Sequence, residues 1–197
     1  VLQDPQIARL TALHEQIAAQ PNRWATEIEA SYLPRRAFRR HDPLNCIHPH
    51  IDRGRGEQLV ARWRHDEDWI IQRHVLYERG VVLCGPDVRT LLDPVSRHEL
   101  REAVIAILRM WWFPMLTDST RLEHTEYQAY AALTLCRMAY TLERGEVVSK
   151  LAAASWMQAQ QPQFSDLIGR AVDWKLTEAD VPQTQALIAQ VARRAGL

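Results

Sequence analysis

Net charge, paired cysteines and long apolar runs are all scarce in this sequence. Its 24 basic and 24 acidic side chains cancel over 197 residues, so no overall field draws the chain to nucleic acid or to an anionic membrane. Any charged ligand has to be held by a local site. Apolar stretches such as 105–108 and 110–115 fall far short of the roughly 20 residues that cross a bilayer. Cys46, Cys84 and Cys136 are widely spaced and form no C-x-x-C pair for zinc or redox chemistry, which points to reducing, cytoplasmic surroundings. No signal or transit peptide is visible, and the chain opens on Val1 rather than methionine. No internal repeat or low-complexity segment occurs. The length still admits a real core, in one domain or two small ones.

What is present divides into two textures. Asp4 and Pro5 suit a helix start, and Ile7, Leu10, His14 and Ile17 follow helical spacing until Pro21. In "TEIEASYL", Ile28, Ala30 and Tyr32 alternate with Glu27, Glu29 and Ser31, which predicts a strand with one buried face. Residues 34–56 are rich in proline, glycine and arginine and read as a long loop with at most a short helical turn. "DEDWIIQRHVLYERG" reads as a helix closed by Gly80, and "VVLCGP" as a short buried strand. Beyond Arg89 strand signals vanish. Helices are expected at about 96–112, 121–144, 148–159, 163–174 and 177–195, punctuated by Pro114, Gly145, Pro162 and Pro182. The expected class is α+β, predominantly α, with a boundary near Asp93 and Pro94.

Four groups of residues could carry chemistry. His41, Cys46, His48 and His50 crowd one stretch, but a zinc site needs a second ligand pair at standard spacing, and none follows; local hydrogen bonding by loop histidines is the simpler reading. Arg35, Arg36, Arg39 and Arg40 surround Phe38 as in an RNA-binding patch. Without a wider basic field they read as a surface, or as partners for nearby carboxylates. Arg36 and His41 also match the R-x4-H pair of helical HEPN-type ribonucleases, chemistry that needs both groups on one helix. The fourth group lies in "CRMAYTLERGEVVSK". Ala131, Leu135, Met138 and Leu142 form an apolar stripe, while Tyr130, Leu133, Arg137 and Tyr140 share the adjacent face. A guanidinium on so apolar a helix needs a partner. Either Arg137 pairs with an internal carboxylate while Lys150 is solvated, or Arg137, Lys150 and the helix start beside it converge on a polyphosphate. Glu29 poses the same choice between a general base and an exposed polar residue.

"VVLCGPDVRTLLDPVSRHELREAV" and "LTLCRMAYTLERGEVVSKLAAASWM" resemble the aminoglycoside nucleotidyltransferases that adenylylate streptomycin and spectinomycin. The first matches the junction into the family's C-terminal helical domain. The second matches its L-T-L-x-R segment, glycine turn, and lysine before A-A-x-W. The likeness runs from about Glu27 to Trp174. It implies the end of a nucleotidyltransferase α/β domain over residues 1–92 and a helical bundle domain over 93–197.

The resemblance also implies roles. Arg137 and Lys150 match the pair that reaches the ATP triphosphate, Glu29 the carboxylate that deprotonates the substrate hydroxyl, and Trp174 an aromatic residue beside the nucleotide. The family's G-S followed by D-x-D, which holds catalytic magnesium, is absent from the chain, so the resemblance implies metal ligands upstream and no metal ligand here. Tyr127 and Tyr130 stand where an acidic and a polar residue contact the drug. The expected function is AMP transfer from ATP to a hydroxyl of an aminoglycoside-like small molecule by the full-length protein. The chain itself is expected to be truncated and inactive alone. The alternative is a non-catalytic module that binds nucleotide or a partner, and neither nucleic acid nor membrane is an expected partner.

Overall fold

The computed structural model describes residues 2–52 and 58–197. Among them it shows eight α-helices and one three-stranded sheet, so the fold is α+β and predominantly α. None of these helices is long and apolar enough to cross a membrane. Two compact units emerge: one takes residues through Trp69 together with Val82–Asp93, the other Ile70–Val81 together with Pro94–Leu197.

The first unit holds the sheet. Helix α1, Asp4–Ala18, begins with Gln3, whose backbone N–H donates to Gln6 Oε1 at 2.9 Å. His14 is its buried residue, with Nε2 2.6 Å from the Tyr32 hydroxyl. Strands β1 (Ala30–Ser31), β2 (Ile47–Ile51) and β3 (Leu59–Arg64) pair antiparallel in that order. The strand expected over "TEIEASYL" thus contracts to two residues, and Glu29 precedes it, exposed. Only this short piece finds a partner: Ala30 lies opposite Ile51, and Ser31 opposite His50.

Residues 34–56 are not one loop, because helix α2 (Arg35–Arg39) and β2 fall within them; residues 53–56 lie outside the described residues. Pro49 signals a break, yet it sits in the middle strand. A proline cannot donate to the ladder, and the register shifts between His48 and His50 around it. Its carbonyl still accepts from the Tyr32 N–H at 2.9 Å. His48 and His50 therefore lie on a buried strand, where the Asn45 carbonyl accepts from His48 Nε2 at 2.7 Å and Ser31 Oγ lies 2.8 Å from His50 Nδ1. The His48 ring packs on His65, the His50 ring on Trp63 and His65, and His65 in turn on Trp69, at centroid separations from 5.0 to 5.9 Å. Burial first, then the neighbouring histidines, pushes His65 down to about 4, and burial also lowers His48.

"VVLCGP" is a correction. It is neither strand nor buried: Val81 and Leu83 are 83% and 94% exposed. Three apolar residues between Gly80 and Gly85 read as a buried strand by composition, but a strand is set by pairing, and the sheet ends at β3. Helix α2 ends at Arg39 with Arg40 extended, so Arg36 and His41 do not share a helix. Arg39 and Arg40 both pair with Asp93.

The second unit is a helical bundle that includes most of α3 (Asp68–Arg79). Helix α4 (Arg97–Ile107) starts with a reciprocal cap, Ser96 Oγ accepting from the Glu99 N–H at 3.2 Å and Glu99 accepting from the Ser96 N–H at 2.8 Å. It widens into a π-helical turn over Leu108–Trp112, within the helix expected over 96–112, and tightens to 3₁₀ over Phe113–Leu116 around Pro114. Helix α5 (Thr125–Arg144) is the centre of the bundle, with more than half of its residues buried. Around it lie α6 (Lys150–Gln160), α7 (Ser165–Val172) and α8 (Val181–Ala195). Leu135, Met157, Leu167, Ile168, Leu187 and Ile188 are sealed in this core, each side chain contributing roughly 1.5–3 kcal/mol on burial.

Candidate functional site: two cations without a carboxylate

Helix α5 needs a residue able to leave it at a left-handed angle, and Gly145 supplies it with φ 67° and a backbone bond from its N–H to the Thr141 carbonyl at 2.9 Å. A Cβ here would stand 2.8 Å from Cγ and Cδ of Arg97. The chain then passes buried Val147 to Ser149, whose Oγ caps α6 by accepting from the Ala152 N–H at 3.2 Å. Lys150 is the first residue of α6.

This turn brings Lys150 back onto α5. Its Nζ lies 3.8 Å from the centroid of the Tyr130 ring, and Arg137 also feels Tyr130 two turns further along α5. Both cations are half-buried, and among the described residues neither has a carboxylate partner. Burial lowers the Arg137 guanidinium below its ordinary range. Burial first, then the Arg137 charge, pushes Lys150 down to about 8. The internal ion pair left open by the sequence is thus not made. Two half-buried cations side by side are unfavourable until an anion joins them, and a fork of guanidinium donors beside an ammonium at a helix start suits phosphate.

Arg137 also lines a cavity of about 500 Å³ with Ser149, Val147, Glu146 and the His74, Glu78 and Arg79 side of α3. The α3 residues escaped the sequence reading. Their i, i+4, i+5 spacing gives one polar helix face, but nothing in the sequence says that this face turns toward Arg137. His74 is held by a hydrogen bond to the Val95 backbone, and its burial lowers its pKa despite Glu78 and Glu146.

Aromatic rings continue outward from Lys150. The Tyr130 and Tyr127 rings are 5.8 Å apart, buried Trp112 packs against both, and Trp111 Nε1 donates to the Tyr127 hydroxyl at 2.9 Å. Arg121 lies over Trp111, 4.6 Å from its centroid.

Trp174 is in the same unit and is not among the residues lining the cavity. It is 60% exposed, and among the described residues it is the sole non-glycine with positive φ, at 56°. It closes α7 where glycine is usual: the Lys175 N–H donates to the Arg170 carbonyl at 2.9 Å and the Trp174 N–H to the Ala171 carbonyl at 3.2 Å. Glu29 belongs to the first unit. No group of three or more His, Cys, Asp or Glu among the described residues could hold a metal ion.

Both cations fall within the part of the chain that is similar to known proteins. The family model described as aminoglycoside adenylyltransferase, C-terminal domain, matches residues 90–195. An aminoglycoside (3'') (9) adenylyltransferase of Klebsiella pneumoniae is 30% identical over 104 residues, covering 52% of this chain and 37% of that protein. The Shigella flexneri protein of that name gives the same figures, and one from Escherichia coli is 31% identical over 85 residues, 43% of this chain and 30% of its own length. The match thus spans about a third of the length of these curated relatives. With more than half of its residues inside the family match, the chain belongs to the aminoglycoside adenylyltransferase family, whose C-terminal domain it carries.

Proposed function

We propose that this chain supplies the triphosphate-holding half of an adenylyltransferase that moves AMP from ATP to a hydroxyl of a small, aminoglycoside-like molecule. The observation behind this reading is the adjacent, half-buried Arg137 and Lys150 with no carboxylate among the described residues to neutralise them. ATP would supply the activated phosphoryl group. Arg137 would grip its β- and γ-phosphates through the guanidinium fork, and Lys150 would add a point charge from the start of α6. Both contacts gain strength as negative charge gathers on the departing pyrophosphate. Glu29 is the residue proposed to accept the proton of the acceptor hydroxyl. Trp174, its large ring held outward on a left-handed backbone, would flank the nucleotide.

Among the described residues no cluster of His, Cys, Asp or Glu is suited to hold magnesium. A narrower reading is a nucleotide-holding module without catalysis. The absence of a G-S…D-x-D pattern from the sequence favours it for these 197 residues taken alone. Kinetics separate the two. In a protein that carries the upstream G-S…D-x-D, Arg137→Gln and Lys150→Gln should each raise KM for ATP and lower kcat, with the acceptor KM little changed. The 197 residues alone should transfer no label from [α-³²P]ATP. Unchanged ATP kinetics in both variants would remove the phosphate roles.

A further inference from the structure

Lys150 carries a second property, which rests on the anion-holding reading of Arg137 and the start of α6 proposed above. The chain contains two lysines, Lys150 and Lys175. Lys175 is exposed and paired with Asp173 at 3.0 Å. Lys150 lies on the Tyr130 ring, beside Arg137, at the start of an 11-residue helix, and among the described residues has no acid to hold its proton.

We propose that Lys150 is a site of covalent acylation by small acyl phosphates, and that the resulting amide switches the anion site off. Arg137 and the start of α6 would seat the phosphate of the reagent, presenting its carbonyl carbon to Nζ. The neutral amine attacks that carbon, the bond from carbonyl carbon to phosphate oxygen breaks, and its electron pair leaves on inorganic phosphate. The amine's proton passes to that phosphate or to water. No oxidant or reductant is consumed. The amide is uncharged, so one of the two cations is lost while its half-buried stem stays in place. Burial and the Arg137 charge favour the reactive form: Lys150 titrates at about 8, so about half of it is free amine at pH 8, against under about 1% for an ordinary lysine.

The two-lysine composition makes the test internally controlled. Acetyl phosphate is incubated with the 197-residue protein at pH 8, and acetylation of each lysine is followed by peptide mass spectrometry. Lys150 should react at least about tenfold faster than Lys175, a conservative figure beside the free-amine contrast above, and Arg137→Gln should collapse that ratio. N-hydroxysuccinimidyl acetate, which has no phosphate, serves as a second arm on the unaltered protein and should show a smaller preference for Lys150. Equal rates at the two lysines overturn the proposal, and so does an equal preference with both reagents. Inorganic pyrophosphate should protect Lys150. Selective acetylation that pyrophosphate leaves unslowed overturns the phosphate seat and with it the proposal; selective, pyrophosphate-sensitive acetylation without ATP binding supports acylation while counting against the nucleotide site, and lost selectivity with ATP binding intact does the reverse.

Discussion

Trp174 is where backbone cost and exposed chemistry meet in one residue. A non-glycine in the left-handed region costs roughly 1–2 kcal/mol, yet this position holds a large, outward ring at the close of α7. Trp174→Gly should therefore keep or raise the thermal midpoint by relieving that cost. It should weaken nucleotide binding if the ring flanks the base, as proposed above. Calorimetric unfolding and ATP titration of one variant read both effects, and a fall in stability with unchanged affinity contradicts both halves. The sequence marks Trp174 only through resemblance, since nothing in "AVDWKLTEAD" announces a left-handed tryptophan. Arg137 was more legible. Its place among apolar neighbours demands a partner, while only the structure shows that no carboxylate among the described residues provides one.

At the scale of elements, the junction of α5 and α6 fixes the site. Gly145 sets the direction of the chain and Ser149 fixes the first turn of α6, so Lys150 returns to Tyr130. Gly145→Ala should cost about 1–2 kcal/mol in unfolding free energy from the left-handed backbone alone, with a further loss from displacing Arg97. Polyphosphate affinity should fall with it, because Lys150 loses its register. Urea unfolding checks the first effect, and an unchanged midpoint would refute it. This junction was readable because glycine, a serine cap and an apolar run each signal their own geometry. Strand β2 was not, because Pro49 argues against a strand until a bulge is known to absorb it. The segment at 81–86 failed in the opposite direction, its composition favouring burial that no neighbouring strand provides.

At the scale of the whole molecule, the chain is balanced in charge but carries a local excess where α5 meets α6. That contrast between a neutral chain and a local pair of cations would give the proposed anion site its specificity, since no diffuse field competes with it. Helical periodicity made the predominantly α fold legible, whereas the cavity wall from α3 was hidden because it depends on packing between distant segments. The pair also ties binding to pH. Lys150, with a folded-state pKa pushed down to about 8, is charged below that value and loses its charge as pH rises through it. Anion affinity should decline above pH 8, with proton uptake on binding in that range. The most direct test is calorimetric titration of tripolyphosphate into the 197-residue protein and its Arg137→Gln and Lys150→Gln variants at pH 7 and pH 9. A charged hydrogen bond is worth about 1.5–3 kcal/mol, so each variant should bind at least about tenfold more weakly at pH 7, and the unaltered protein more weakly at pH 9 than at pH 7. Equal affinity in all three proteins at both pH values would contradict the account.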